Sequence, residues 1–340
     1  MNTYENRQIA LSSVDLSKHF VGRQSIAKKI RKEAPLIIPA VDGVTIDLYQ
    51  GETLGLVGES GCGKSTLGRT LVGLYDATSG SIYLNGVAVT DQRTLEQRRS
   101  AQMIFQDPFS SLNPQMTIRK MLTEILLFHK LRTKENVNAR CEELMKVVGL
   151  PLATLDSHPR QFSGGQRQRI GIARALALEP KILIADEAVS ALDVSVQATI
   201  VNLLLDLRRD LGLSILFISH NISVVRQMCD RIAVMYLGRI VEIGSTEQVF
   251  TEPRHPYTKL LLGSVPKMHA NSQVANLGSG ELPSLQSHYD GCRFMSRCTI
   301  SSEECASIDP QLHKVGSINS VSSTDALEIN HEVACIKVLK

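Results

Sequence analysis

Between Gly58 and Thr66 the chain reads GESGCGKST, three glycines and a lysine with hardly a bulky side chain among them. The preceding GETLGLV has the character of a buried strand, and STLGRTLVGL after it that of a helix. Gly58, Gly61 and Gly63 permit positive φ and let the main chain come close to a ligand. Successive N–H groups can then curl around an oxyanion, while the helix N-terminus adds its partial positive charge. The spacing G-x-x-x-x-G-K-[ST] assigns Lys64 to β- and γ-phosphates and the Ser65 hydroxyl to the Mg²⁺ that accompanies a nucleotide. The predicted nucleotide site thus comprises Gly58, Glu59, Ser60, Gly61, Cys62, Gly63, Lys64, Ser65 and Thr66, with Cys62 acting only through its backbone. A strand that enters a helix through such a loop predicts an α/β fold.

A chain of 340 residues can hold one large α/β unit and a smaller one. Its 43% hydrophobic and 21% charged content are those of an ordinary globular protein. A net charge of +3 gives no argument for a nucleic-acid partner. The opening MNTYENRQIALSSVD lacks a basic-then-apolar leader pattern, and no run reaches the roughly 18 apolar residues of a membrane span. The expected location is therefore cytoplasmic, with any membrane crossing left to other chains.

IALSSVDLSKHF and VTIDLYQGE read as antiparallel strands, the second turning Val44, Ile46 and Leu48 inward. VGRQSIAKKIRKEAP between them is a basic, exposed insertion. GSIYLNGVAV reads as a hairpin turning on Asn85-Gly86, and the stretch from about Thr117 to Val148 as mostly helical. Then β and α alternate. KILIADE is an apolar strand ending in two acids. SVQATIVNLLLDLRRDLG is a helix with Val196, Ile200, Leu203, Leu204, Leu207 and Leu211 on one face. SILFISH is another buried strand, and RIAVMYLGRIVEIG a hairpin. Buried parallel strands joined by helices, polar at their carboxyl ends, describe a doubly wound sheet with its site at that edge. HANSQVANLGSGELPS reads as a linker to a cysteine-containing tail.

At the end of KILIADE, Asp186 suits a direct or water-mediated contact to Mg²⁺, and Glu187 can polarise the water that attacks a γ-phosphate. His220, ending SILFISH, is placed for a γ-phosphate contact. FSGGQRQRIGIARAL opens with Ser163-Gly164-Gly165 at a helix start, a second anion cradle. One nucleotide needs only one phosphate loop, so the second cradle makes sense closing over a nucleotide held by another subunit.

Of the seven cysteines, Cys62, Cys141 and Cys229 are scattered and read as small core or loop residues. Cys292, Cys298, Cys305 and Cys335 all fall in the tail, and in a reducing compartment such a group suggests a metal or cluster before disulfides. Zinc sites favour two close C-x₂₋₄-C pairs, which are missing, and the wider spacing is more easily met by a [4Fe–4S] cluster, with zinc the alternative. His331, four residues before Cys335, is expected at the surface, with a role as substitute ligand the alternative.

Through these motifs the chain resembles the ATP-binding-cassette (ABC) ATPases. The resemblance makes Gly58–Ser65 the Walker A loop, Gln106 of MIFQDP the Q-loop glutamine, Ser163, Gly164, Gly165 and Gln166 the signature motif, ILIADE Walker B, Asp193 of SALD the D-loop aspartate and His220 the switch histidine. It implies catalytic roles for Glu187, His220 and Gln106, a Mg²⁺ held by Ser65, Gln106 and Asp186, and an adenine-stacking role for Phe20 in LSKHF. QDPFSSLNPQMTI, HPYTKLLLGSVP and the tail resemble more narrowly the ATPase subunits of oligopeptide and dipeptide permeases, which are understood to carry a [4Fe–4S] cluster on four matching cysteines. The implied fold is an ABC-type nucleotide-binding domain over residues 1–252, with a mixed sheet core, an antiparallel β subdomain and a helical subdomain at about 115–165, followed by a small cysteine-containing C-terminal domain over 253–340.

The implied activity is ATP hydrolysis that powers peptide import at the cytoplasmic face of the inner membrane. The implied partners are a second, related cassette in a heterodimer, two transmembrane permease subunits and, through them, a periplasmic or extracellular peptide-binding protein. Nickel, a sugar or an antimicrobial peptide would use nearly the same ATPase. A soluble ABC protein acting on DNA or ribosomes would carry long coiled-coil insertions or two fused cassettes, and this chain has neither. Phe162, Ala188 and Asn221 stand where the family more often has leucine, proline and aspartate; none of these departures removes a catalytic group.

Overall fold

The structure is a computed structural model that describes residues 8–22, 35–90, 92–107, 112–264, 289–315 and 331–338. Most of the expected basic insertion and the whole of the expected linker lie outside the described residues. Two sheets carry the fold. In the first, β1 (Ile9–Val21) pairs antiparallel with β2 (Ile37–Tyr49) and with β4 (Ser79–Leu84), which turns into β5 (Val87–Ala88). That turn is Asn85-Gly86, with φ of +49° and +77° as a hairpin of this type demands. Val44, Ile46 and Leu48 are buried as their alternation predicts.

The second sheet contains β3 (Thr53–Val57), β6 (Ala101–Ile104), β7 (Ile182–Asp186), β8 (Ser214–Ile218), β9 (Arg231–Tyr236), β10 (Arg239–Ser245) and the short β11 (His313–Lys314) and β12 (Glu332–Val333). Its order is β11-β12-β10-β9-β3-β8-β7-β6, parallel from β9 to β6. Every residue of β3, β7 and β8 is buried, which is why TLGLV, ILIAD and SILFI are apolar without alternation. The helices are α1 (Lys64–Val72), α2 (Leu95–Ser100), α3 (Ile118–Phe128), α4 (Val137–Val147), α5 (Gly164–Leu176), α6 (Val194–Leu211), α7 (Ile222–Met228), α8 (Thr246–Thr251) and α9 (Pro256–Gly263). No helix among the described residues is long and apolar enough to cross a membrane.

Helix α3 starts at Thr117, whose hydroxyl accepts the Lys120 N–H, and with α4 it buries Ile118, Leu122, Leu126, Cys141, Leu144 and Met145. In α6, Ile200, Leu204 and Leu207 are buried as predicted, joined by Val201. Leu211 is instead 49% exposed: the chain reverses at Gly212 (φ +64°), and Leu213 takes the buried place.

The C-terminal segment is built into the main sheet, because β12 pairs with β10 and sets Val333 opposite Glu242. Glu242 is fully buried and accepts hydrogen bonds from the N–H groups of Arg254 (2.7 Å) and His255 (2.8 Å). His331 corrects the sequence expectation. It is buried, and its Nε2 lies 2.7 Å from Glu242 Oε1. Burial alone would raise the Glu242 carboxyl, but the bond to His331 and the two N–H groups outweigh it and hold it below the ordinary value.

His255 opens α9, its Nδ1 accepting the Tyr257 N–H at 3.0 Å. Burial pushes this imidazole down to about 4. An unfolded histidine titrates near 6.5, so between about 6.5 and 4 the unfolded chain binds a proton that the folded one does not, and stability falls as pH falls through that window. Amide hydrogen exchange at Val333 and Ala334 is accordingly expected to show protection declining between about pH 6.5 and 4, and declining less in His255→Gln. Protection constant over that range would contradict the assignment.

Candidate active site

The site is assembled by strand register. Leu56 of β3 lies opposite Ile218 of β8, Ile218 opposite Asp186 of β7, and Ile104 of β6 opposite Ala185. Four neighbouring strands therefore end along one edge of the sheet. From that edge emerge the Gly58–Thr66 loop, His220, Glu187 and Gln106.

Two glycines of the loop are dictated by space. A Cβ on Gly63, at φ +110°, would lie 2.0 Å from the Ala40 carbonyl oxygen, and one on Gly58 2.2 Å from that of Met235. The first turn of α1 has no side-chain cap, so its N–H groups stay available to an anion. Lys64 is buried and folds back, its Nζ donating to the carbonyls of Gly58 and Glu59, both at 2.8 Å. Cys62 is buried too, and burial raises its thiol above the ordinary value.

Ser65 Oγ donates to Asp186 Oδ1 at 2.7 Å, tying the start of α1 to the end of β7. Asp186 is fully buried, and burial raises its carboxyl. Its Oδ2 has no hydrogen-bond partner among the described residues; the Arg69 guanidinium lies 3.8 Å away. A buried, unsatisfied carboxylate oxygen beside a serine hydroxyl is a hard-oxygen donor pair, and it fits Mg²⁺.

Glu187 follows at φ +47°, a left-handed conformation that strains a non-glycine residue by about 1 kcal/mol. Its N–H donates to the Ile218 carbonyl, and its own carbonyl accepts both the N–H and the hydroxyl of Ser190. Thus fixed, the side chain receives Gln106 Nε2 at 2.8 Å on one oxygen and lies 3.3 Å from His220 Nδ1 on the other. The three groups named from sequence thus share one contact network.

The remaining predicted groups stand on other elements. Ser163 caps α5: Gln166 N–H reaches Ser163 Oγ at 3.3 Å, and Ser163 N–H reaches Gln166 Oε1 at 2.9 Å. Gly164 and Gly165 form the first turn of that helix, and Asp193 is the residue from which α6 starts. Phe162 is buried in the core. Phe20 pairs with Ile38 on β2, two residues from the Ala40 that abuts Gly63, and meets Tyr75 edge-on with ring centroids 5.5 Å apart.

Over residues 41–190 the chain matches the ABC transporter family, and over 241–305 it matches the C-terminal region of oligopeptide/dipeptide transporters. It is 45% identical to the oligopeptide transport ATP-binding protein OppF of Salmonella typhimurium, over 98% of each chain. The chain belongs to the ABC transporter ATPases, in the oligopeptide/dipeptide group. It is also 44% identical to the oligopeptide transport ATP-binding protein AppF of Bacillus subtilis, over 91% of this chain and 95% of that one. Among solved structures, cbiO1 of Clostridium perfringens, part of an ABC transporter complex, matches with a TM-score of 0.60 and 26% identity, over 72% of this chain and 92% of that one. A dimeric ATP-binding cassette bound to ADP and phosphate matches with a TM-score of 0.60 and 28% identity, over 69% and 98%.

This ABC ATPase has further features that its sequence did not announce. The Tyr257 hydroxyl accepts the Glu59 N–H at 2.9 Å, and Arg297 grips the Glu59 carboxylate. A cavity of about 560 Å³ opens beside α3, lined by Leu74, Phe105, Ile125, Phe128 and Leu178 among others; Phe128 is 73% exposed. In the tail, Cys292, Cys298, Cys305 and Cys335 all line one small cavity, and the Cys292 N–H donates to the Cys305 carbonyl. Burial pushes the Cys292 thiol up to about 11. Among the described residues, however, no three His, Cys, Asp or Glu side chains converge into a ready metal-binding group. The four thiols surround a common space without yet ligand geometry.

Proposed function

We propose that this ATPase powers peptide import through a binding-protein-dependent transporter. The observation that carries the catalytic reading is Glu187, held between Gln106 and His220 beside the Ser65–Asp186 pair. ATP phosphates occupy the Gly58–Thr66 loop, and Lys64 leaves the carbonyls of Gly58 and Glu59 for the β- and γ-phosphates. Glu187 orients a water and draws on its proton as the water oxygen bonds to the γ-phosphorus. The bond from that phosphorus to the β,γ-bridging oxygen breaks, and ADP departs with its electron pair. His220 holds a γ-phosphate oxygen, and Gln106 keeps the Glu187 carboxylate in place. Ser65, Asp186 and Gln106 would hold Mg²⁺, which would neutralise phosphate charge. Phe20 offers an aromatic face to adenine.

Residues 1–252 form the nucleotide-binding unit, with a helical part at about 115–165, and 253–340 the C-terminal unit. Ser163–Gln166, with Asp193 nearby, completes the ATP site of a second cassette, and a related but distinct partner makes the assembly a heterodimer. The cavity lined by Phe105, one residue before Gln106, sets apolar side chains beside Arg93, Arg98 and Arg174 and is suited to receive a permease subunit, which would link ATP closure to transport. Two such subunits hold the pair at the cytoplasmic face of the inner membrane, and a peptide-binding protein delivers cargo from outside. Cys292, Cys298, Cys305 and Cys335 would hold a [4Fe–4S] cluster, which would cross-link the C-terminal segment; their common cavity supports this.

In the assembled complex, Glu187→Gln is expected to bind ATP as before while phosphate release falls about a hundredfold or more, and Lys64→Ala to lose both. Wild-type turnover by Glu187→Gln would overturn the role of Glu187. Anaerobic purification followed by iron and sulfide analysis should give about four of each per chain. Stoichiometric zinc in a colourless protein would replace the cluster but keep the site, and a folded, metal-free tail would remove both.

A further inference from the structure

Glu59 carries a carboxylate in the phosphate loop. A carboxylate in an anion-binding loop repels the phosphates that the loop is shaped to hold. Its charge is matched from the far end of the chain: Arg297 Nη1 donates to Glu59 Oε2 and Nη2 to Oε1, both at 2.9 Å, across 238 residues of sequence. Only 8% of the Arg297 side chain and 17% of the Glu59 side chain are exposed. The guanidinium lies 5.8 Å from the Phe294 ring centroid and 5.9 Å from that of Tyr236. Tyr236 packs in turn on Tyr257, with centroids 4.6 Å apart.

All three polar parts of Glu59 are therefore engaged. Its carboxylate takes Arg297, its N–H goes to the Tyr257 hydroxyl, and its carbonyl accepts Lys64 Nζ at 2.8 Å. Arg297 itself closes a short 3-10 turn, Met295–Arg297, whose next residue is Cys298. The segment that carries the tail cysteines thus reaches directly to the lysine that meets the phosphates, with one residue between.

We infer that Arg297 is a positioning residue of the phosphate loop: it cancels the Glu59 charge and fixes the backbone at the start of the loop, so that nucleotide affinity depends on the docked C-terminal segment. The inference rests on the reading of the loop as an ATP site. It uses the geometry of a bidentate guanidinium–carboxylate pair, which a lysine cannot reproduce.

Titration of the full-length chain with the fluorescent analogue mant-ATP and Mg²⁺ tests it. Arg297→Ala should weaken binding about tenfold, because it leaves a largely buried carboxylate uncompensated in the phosphate loop. Arg297→Lys should weaken it less, keeping the charge but losing the fork. Adding Glu59→Gln to Arg297→Ala should bring affinity back to within about threefold of the parent chain. A pair that merely fastened the tail would not be rescued this way, since the second substitution would only loosen it further. Parent-like affinity in Arg297→Ala overturns the inference, as does a double variant no tighter than Arg297→Ala. Should Arg297→Ala fail to fold, the bulkier neutral variant Arg297→Gln, alone and with Glu59→Gln, carries the same comparison. Failure of the unsubstituted chain to bind mant-ATP would instead overturn the ATP reading beneath it.

Discussion

The common height at which β6, β7, β8 and β3 end is the constraint from which the site follows. Parallel strands in register place the residues after them side by side, so groups far apart in sequence meet without long loops. Gln106 reaches Glu187 across 81 residues, and Ser65 reaches Asp186 across 121. A slip of one residue on β7 would exchange the faces of Asp186 and Glu187 and break both contacts. The full burial of β3, β7 and β8 holds the register, which links the apolar runs in the sequence to the chemistry at their ends.

Much of this was legible beforehand because it is written in short-range pattern. Gly58 and Gly63 are needed where carbonyls of Met235 and Ala40 crowd the loop, and the G-x-x-x-x-G-K-[ST] spacing reports that need without naming the carbonyls. Strand-terminal Glu187 and His220 could be picked out for the same reason. The left-handed backbone of Glu187 could not, because nothing in DEAVSALD demands it; the hydrogen bonds to Ile218 and Ser190 impose it from the tertiary fold. Leu211 failed for a local reason: helical periodicity continues to the last turn, but Gly212 ends the helix before the face does.

The C-terminal segment was least legible. Its composition suggests a separate, loop-rich unit, yet β12 joins the main sheet and His331 is buried against Glu242. Phe294 and Tyr257 share one apolar cluster with residues of the central strands such as Phe217 and Val234. Contacts of this kind depend on pairings between distant residues, and a single sequence carries no periodic signal for them. Two buried carboxyl groups, on Glu52 and Glu242, each have a partner across the fold: Arg231 lies 3.2 Å from Glu52, and His331 2.7 Å from Glu242. Such pairs stabilise a particular docking arrangement only when both partners are present.

At the centre of the site stands one buried oxygen, Asp186 Oδ2, which has no hydrogen-bond partner among the described residues and lies beside a serine that points at its twin. In the proposed mechanism that oxygen would bind the cation that accompanies ATP. Mn²⁺ is a paramagnetic substitute for Mg²⁺, and its EPR signal in the presence of ATP measures the assignment directly on the full-length chain. The parent chain should bind Mn²⁺ with ATP at one site, and Asp186→Asn should bind it at least about tenfold more weakly. Equal Mn²⁺ affinity in the two chains would contradict the account.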